Sequence, residues 1–220
     1  MHVASFVGNI GDNASHLGLQ KILADYFNPF EVERLEIRKF YKNYKHEDKQ
    51  RFDQAFIEYA NQFDMLVIGG GGFLDYWLEG SATGTTIDME PQLVAKIQVP
   101  TLICSVGCMP HKAIPAGNVD KFRRFLDAVM LNPKVRIAVR NDGSVLSLKN
   151  DICANYLAHI PEVLDNVFFF DTQAPNPLPM QQDYIAINVT NDQLHMSSHS
   201  RCKIDKSVYL AALAQVVTHI

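Results

Sequence analysis

A doubly wound α/β fold with a mainly parallel sheet is what this sequence predicts, and three observations carry the prediction. Short apolar segments alternate with helical ones through the first 170 residues, and several of those segments run straight into glycine. No apolar run approaches the roughly 20 residues that a bilayer span needs. Hydrophobic residues make up 47% and charged residues 20% of the 220, a mixture that can bury a core and excludes disorder. The length suits one large α/β domain, or one domain with part of another.

Taken in order, the first strand is predicted over His2 to Val7, followed by the turn Gly8-Asn9-Ile10-Gly11-Asp12 and a helix from Ala14 to Tyr26. There Leu17, Lys21 and Ala24 fit helical spacing better than alternation, and Asn28-Pro29 stops the helix. Val32 to Ile37 mixes apolar and charged positions, as an edge strand does. Glu47 to Gln62 reads as a helix because Phe52, Ala55, Phe56, Tyr59 and Ala60 fall on one face. Asp64 to Ile68 is a buried strand entering four glycines, Gly69 to Gly72. A helix over Ile87 to Gln98 carries Pro91 in its first turns. Then come a strand over Thr101 to Val106, a helix over Val119 to Met130 and a strand over Val135 to Val139. A helix starts over Asp142 to Lys149, a shorter one lies around Ile152 to Leu157, and Val167 to Phe170 is read as an apolar strand.

Residues 1–170 therefore form the predicted amino-terminal domain. The segment 171–183, with three prolines and little periodicity, is read as a linker. Residues 184–220 hold a strand (Tyr184 to Val189), a polar loop (Asn191 to Lys203) and an amphipathic helix (Lys206 to Thr218). That is one βα unit, too small to bury a core alone, so the chain reads as stopping short of a complete second domain. Apolar surface left uncovered there would favour homo-oligomers.

The net charge of −4 gives no basic field for nucleic acid. The four cysteines form no C-x-x-C pair and read as reduced thiols, and no signal peptide is evident, so a cytoplasmic location is expected.

Ligands of open parallel sheets sit outside the carboxyl ends of the strands, and four such ends carry unusual residues. In Gly8-Asn9-Ile10-Gly11-Asp12 the glycines let the backbone approach a ligand. Asp12 can orient a hydroxyl, act as a base, or cap the helix of an ordinary turn. In Gly69-Gly70-Gly71-Gly72-Phe73 something must approach the backbone, either a ligand or a crossing chain segment. Ser105-Val106-Gly107-Cys108 is a weaker signal, and Cys108 has no evident His–Asp partner that would make it a nucleophile. In Arg140-Asn141-Asp142-Gly143-Ser144 the guanidinium offers a fork for phosphate or carboxylate, or pairs with Asp142, while Asp142 or Ser144 can cap the next helix. His195, His199 and Cys202 have metal-like spacing but sit in a polar loop without a fourth ligand, so no metal is expected. The dinucleotide pattern G-x-G-x-x-G is missing, which disfavours a nicotinamide oxidoreductase.

The ordered set GNIGD, GGGGFL, SVG and VRNDGS resembles the polysaccharide pyruvyl transferase family over roughly residues 5–170. The resemblance implies a Rossmann-like fold, forming the amino-terminal half of a glycosyltransferase-B-like architecture with its active site in the cleft between halves. It implies pyruvyl transfer from phosphoenolpyruvate, a co-substrate, to a saccharide of a surface polymer, with no cofactor. The acceptor would be a free, lipid-linked or nucleotide-linked sugar, and peripheral membrane association is compatible with that. Asp12 and Arg140 are then the catalytic candidates. Gly8, Asn9, Gly11, Gly70, Gly71, Gly72, Phe73, Gly107, Asp142 and Ser144 are the substrate-binding candidates. Asn141 stands where the family usually has an acidic residue, and the family's histidine-bearing motif belongs to the second half. Two other classes share the glycine loops: a nucleotide-sugar glycosyltransferase, and a non-catalytic module that binds a glycan or anion.

Overall fold

A computed structural model describes residues 1–7, 10–110, 112–171 and 205–218. Residues 1–110 and 114–171 form one compact unit, and residues 111–113 and 172–220 belong to a second. The first unit is a six-stranded parallel sheet with spatial order β2-β1-β3-β4-β5-β6. Its strands are β1 (His2–Ala4), β2 (Arg34–Glu36), β3 (Leu66–Gly71), β4 (Thr101–Val106), β5 (Val135–Arg140) and β6 (Glu162–Val163). The helices are α1 (Ile10–Tyr26), α2 (Gln54–Ala60), α3 (Pro91–Val94), α4 (Asn118–Leu131) and α5 (Ser144–Ser147). The predicted Rossmann-like α/β class is the fold observed.

Alternate strand residues feed two cores, as the pleat requires. Leu66, Ile68, Ile103, Val135, Ile137 and Val139 pack in the larger one with residues of α2, α3 and α4. Val67, Cys104 and Ala138 face the other way, with Leu19 of α1. Helices thus cover both faces, and strands buried on both sides read as continuous apolar runs.

Strand order reverses between β1 and β3. That is the switch point at which crossovers leave in opposite directions and a crevice opens at the strand ends. It lies between the predicted first and second motifs.

Five sequence expectations need correction, one being the helix expected over Ile87 to Gln98, which is the single turn Pro91–Val94. The first strand ends at Ala4, not Val7. The helix expected from Glu47 begins only at Gln54, because the Asp53 carboxylate caps it by accepting from the Phe56 amide at 3.1 Å. Phe52 precedes it and stacks on Phe40 with centroids 4.3 Å apart, while Lys49 Nζ ties up the carbonyls of Tyr41, Lys42 and Tyr44. The aromatic spacing over 52–60 was a packing signal that a turn and a short helix satisfy together. Val167 to Phe170 is not a strand. The last strand is Glu162–Val163, and Asn166–Phe169 is a 3-10 turn started by Asp165, whose side chain accepts from the Val167 amide. Finally, α5 continues into a π-helical stretch, Leu148–Cys153, and a 3-10 turn, Ala154–Ala158, rather than a separate helix.

In the second unit, Lys206–Thr218 is a helix, α6, over the expected residues. Asp205 caps it, accepting from the Ser207 and Val208 amides. The expected strand Tyr184 to Val189 and the loop holding His195, His199 and Cys202 lie outside the described residues.

His2 in β1 is only 2% exposed, edge-on to Phe6 with centroids 5.2 Å apart. Burial first, and then the neighbouring His16, push its pKa from 6.5 down to about 3. The folded chain therefore holds His2 neutral, while the unfolded chain takes up a proton near 6.5. Its share of stability is complete above that value and drains as pH falls toward 3, by up to about 1.4 kcal/mol per pH unit. A melting series across this window should show Tm falling with pH, and His2→Leu should flatten the slope. An equal slope in the variant would assign the acid loss elsewhere.

Candidate functional site

Parallel pairing puts the carboxyl ends of β1, β3, β4 and β5 along one edge of the sheet, so the motifs that follow them share one rim. Gly8 and Asn9 lie outside the described residues. Gly11 is exposed at the start of α1. Asp12 sits inside the first turn of α1 rather than capping it, where negative charge suits the helix dipole. Its Oδ2 accepts from Ser5 Oγ at 2.9 Å and from Arg38 Nη2 at 3.4 Å. Glu36 joins this corner: its carboxylate accepts from the Phe6 and Val7 amides at 2.8 Å and from the Arg38 amide.

The glycine run belongs to β3 through Gly71 and is crowded by the chain's own atoms. A Cβ on Gly69 would lie 2.1 Å from the carbonyl oxygen of Cys104 in β4. Gly70 has φ +79°, and a Cβ there would lie 2.6 Å from Ser15 Oγ of α1. A Cβ on Gly71 would strike the Phe73 ring, and one on Gly72 would stand 3.2 Å from Asp75 Oδ2. At Gly69 and Gly70 the neighbours belong to crossing segments, β4 and α1, and at Gly71 and Gly72 they are side chains of the loop that follows. Phe73 itself is buried in the larger core.

β4 ends irregularly. Its register with β5 shifts between Ile103 and Val106, and Ser105 adopts φ +53°. The fully buried Ser105 hydroxyl accepts from the Asn166 amide at 2.9 Å, which anchors the 3-10 turn after β6 to the rim. Gly107 follows, hydrogen-bonded in both directions to the β3 end: its N–H donates to Gly71, and its carbonyl accepts from Leu74. A Cβ on Gly107 would sit 3.0 Å from both Arg140 Nη2 and Asp142 Oδ2.

Arg140, at the end of β5, is held between two carboxylates: Nε donates to Asp142 at 2.5 Å and Nη1 to Asp165 at 3.2 Å. Burial opposes its charge, but Asp142, Asp165 and Asp75 outweigh it and raise the pKa further. The Arg140–Asp142 pair anticipated from sequence thus exists. It engages only part of the guanidinium, which carries five N–H donors. Burial pushes the Asp142 carboxyl up, yet the bonds from Ser144 and Arg140 prevail and hold it below the usual range. Ser144 is buried, donates to Asp142 and accepts from the Cys108 amide at 2.7 Å. Cys108 is fully buried, and burial, then Asp75, Asp142 and Asp151, push its thiol pKa well above normal, which disfavours the thiolate a nucleophile needs.

Asp75 was missed in the sequence, although it stands three residues past the glycine run. It is 9% exposed, and its Oδ1 accepts from the Met109 amide at 2.7 Å. Burial raises its pKa to about 7; the Met109 amide and Arg140 pull the other way, and Asp142 pushes up. The structure therefore gathers Gly72, Asp75, Gly107, Arg140, Asp142, Ser144 and Asp165 at the β3–β5 ends. Asp12 stands in the corner with Ser5, Glu36 and Arg38. Among the described residues no group of His, Cys, Asp and Glu is disposed to hold a metal ion, and no helix is long and apolar enough to cross a membrane.

Fold and site together define a Rossmann-like domain with charged groups along the carboxyl edge of its parallel sheet. The chain belongs to the polysaccharide pyruvyl transferase family, which it matches over residues 9–220. That membership makes it a transferase of a polysaccharide-modifying kind, with a saccharide acceptor. No curated protein and no solved structure matches it.

Proposed function

We propose that this chain transfers the pyruvyl group of phosphoenolpyruvate to two hydroxyls of a saccharide, closing a ketal during the synthesis of a surface polysaccharide. The observation that carries the reading is Arg140, fixed by Asp142 and Asp165 at the rim beside Gly107, in a chain of this family. Its remaining N–H donors are available to the phosphate or carboxylate of the donor, where preorganised charge gains most as the transition state forms. Protonation of the methylene carbon makes C2 an electrophile, a first hydroxyl adds, phosphate departs, and a second hydroxyl closes the ring. Asp12, steadied by Ser5 and Arg38, receives the proton of the first hydroxyl; the second proton leaves with phosphate. The same reading keeps a linker over 171–183 between the Rossmann-like domain and a second one. It places the work in the cytoplasm, on a free, lipid-linked or nucleotide-linked acceptor.

Incubation with phosphoenolpyruvate and a panel of saccharides should release phosphate only when an acceptor is present, with a pyruvyl mass gain on the sugar. Release of a nucleoside diphosphate from a nucleotide sugar instead would replace this reading with glycosyl transfer. Binding of a glycan or anion with no turnover of either donor would leave a binding module.

A further inference from the structure

The reaction just proposed needs a group that carries a proton at the rim when phosphoenolpyruvate arrives. A solvated carboxylate is ionised at neutral pH and cannot serve. We propose that Asp75 is that acid, delivering its proton to the methylene carbon of the donor; this rests on the pyruvyl-transfer reading.

The geometry argues for the role. Asp75 lies between three strand ends. Its own loop leaves β3, and its Oδ1 takes the Met109 amide from the segment after β4. Gly107, at the other end of that short segment, abuts Arg140 and Asp142 of β5. Oδ2 faces Gly72, where a Cβ would come within 3.2 Å. The acid is thus set one short segment from the guanidinium that would hold the donor.

The groups facing Asp75 are Trp77 on its own loop, Cys108 from the β4 end, and Arg140 and Asp142 from the β5 end. Asp151 acts on Cys108 and accepts from Tyr76 at 2.5 Å. Trp77 bonds to the Asp75 carboxyl and favours its charged form, as Arg140 does, while burial and Asp142 oppose it. The balance leaves a carboxyl that titrates near neutrality, where a general acid is most effective.

Protons balance over the cycle. Asp75 gives one to the methylene carbon, which becomes the methyl group, and Asp12 takes one from the first hydroxyl. Solvent exchanges the two, and phosphate leaves with the proton of the second hydroxyl. No oxidant or other co-reactant is needed.

The test is Asp75→Asn. Asparagine keeps the shape and can still accept from the Met109 amide through Oδ1, so a purely structural Asp75 would leave much of the activity. A proton donor would instead lose roughly 10²–10⁴-fold in kcat, with KM for phosphoenolpyruvate changed only a few-fold and the thermal transition retained. Wild-type kcat/KM should fall as pH rises through about 7, and the residual activity of the variant should lack that limb. A variant within about threefold of wild type, or one keeping the limb, overturns the assignment. Should Asp75→Asn fail to fold, the wild-type profile decides: no alkaline limb between roughly pH 6 and 8 rules Asp75 out. Acceptor-dependent phosphate release by the wild type separates the two claims. Its absence sinks the pyruvyl-transfer reading, whereas its presence with an indifferent Asp75→Asn sinks only the acid.

Discussion

Arg140→Ala is expected to lose acceptor-dependent phosphate release almost completely and to destabilise the domain as well. The two losses have separate causes. Removing a preorganised donor from developing charge costs on the order of 10²–10³ in kcat. The variant also leaves Asp142 and Asp165 facing each other across the former guanidinium, with side chains only 26% and 22% exposed. Stranding such carboxylates costs about 2 kcal/mol, short of the 3–5 kcal/mol seen when a fully buried pair is broken. Arg140→Lys should separate the effects. An ammonium can meet one carboxylate but cannot span both and still present a fork, so most of the stability should return and little of the activity. If Arg140→Ala kept wild-type phosphate release, the guanidinium would have no part in holding the donor. If activity fell without a drop in Tm, the two ion pairs would contribute nothing to the fold.

Gly69→Ala should be among the most damaging single-methyl changes in the described chain. The new Cβ would stand 2.1 Å from the Cys104 carbonyl, and this obstacle is backbone of the paired strand, not a side chain that can rotate. Relief requires β3 and β4 to part where Gly69 pairs with Cys104, next to the register shift and the left-handed Ser105. Ordinary overpacking costs 1–3 kcal/mol; with a backbone obstacle at this distance the loss should exceed about 3 kcal/mol and prevent folding at growth temperature. Gly107→Ala is the informative contrast. Its Cβ would meet the ends of the Arg140 and Asp142 side chains at 3.0 Å, so it should spare much of the fold while shifting the guanidinium and lowering activity. Equal melting temperatures for Gly69→Ala and wild type would show that the strands can separate at little cost.

Much of this was legible before any coordinates. The order of strands and helices, the edge position of β2 and the placing of the motifs at strand ends follow from apolar runs that end in glycine, a local signal. The family was legible too, through the resemblance that the ordered motifs carry. What escaped is non-local. Asp75, Glu36, Arg38 and Asp165 are ordinary acids and bases in sequence, and only the register of neighbouring strand ends turns them into a site. The run at Val167–Phe170 is apolar enough for a strand, but Asp165 takes the Val167 amide and Ser105 the Asn166 amide, committing the chain to a turn. The reading from Glu47 failed similarly: the aromatic spacing was genuine, but the carboxylate at Asp53 set the start.

The close packing behind Gly69–Gly72 bears on how the protein can be altered. A glycine loop free to flex would adapt to different ligands. This one is pressed against Cys104, Ser15 and Phe73 and behaves as a fixed anvil. Under the pyruvyl-transfer proposal, choice among sugars would therefore be tuned elsewhere. The loops after β2 and β3 offer a place, since they enclose a cavity of about 600 Å³ lined by Lys42, Arg51, Glu90 and Lys121 among others. An engineer seeking a new acceptor should vary those loops and leave the anvil alone.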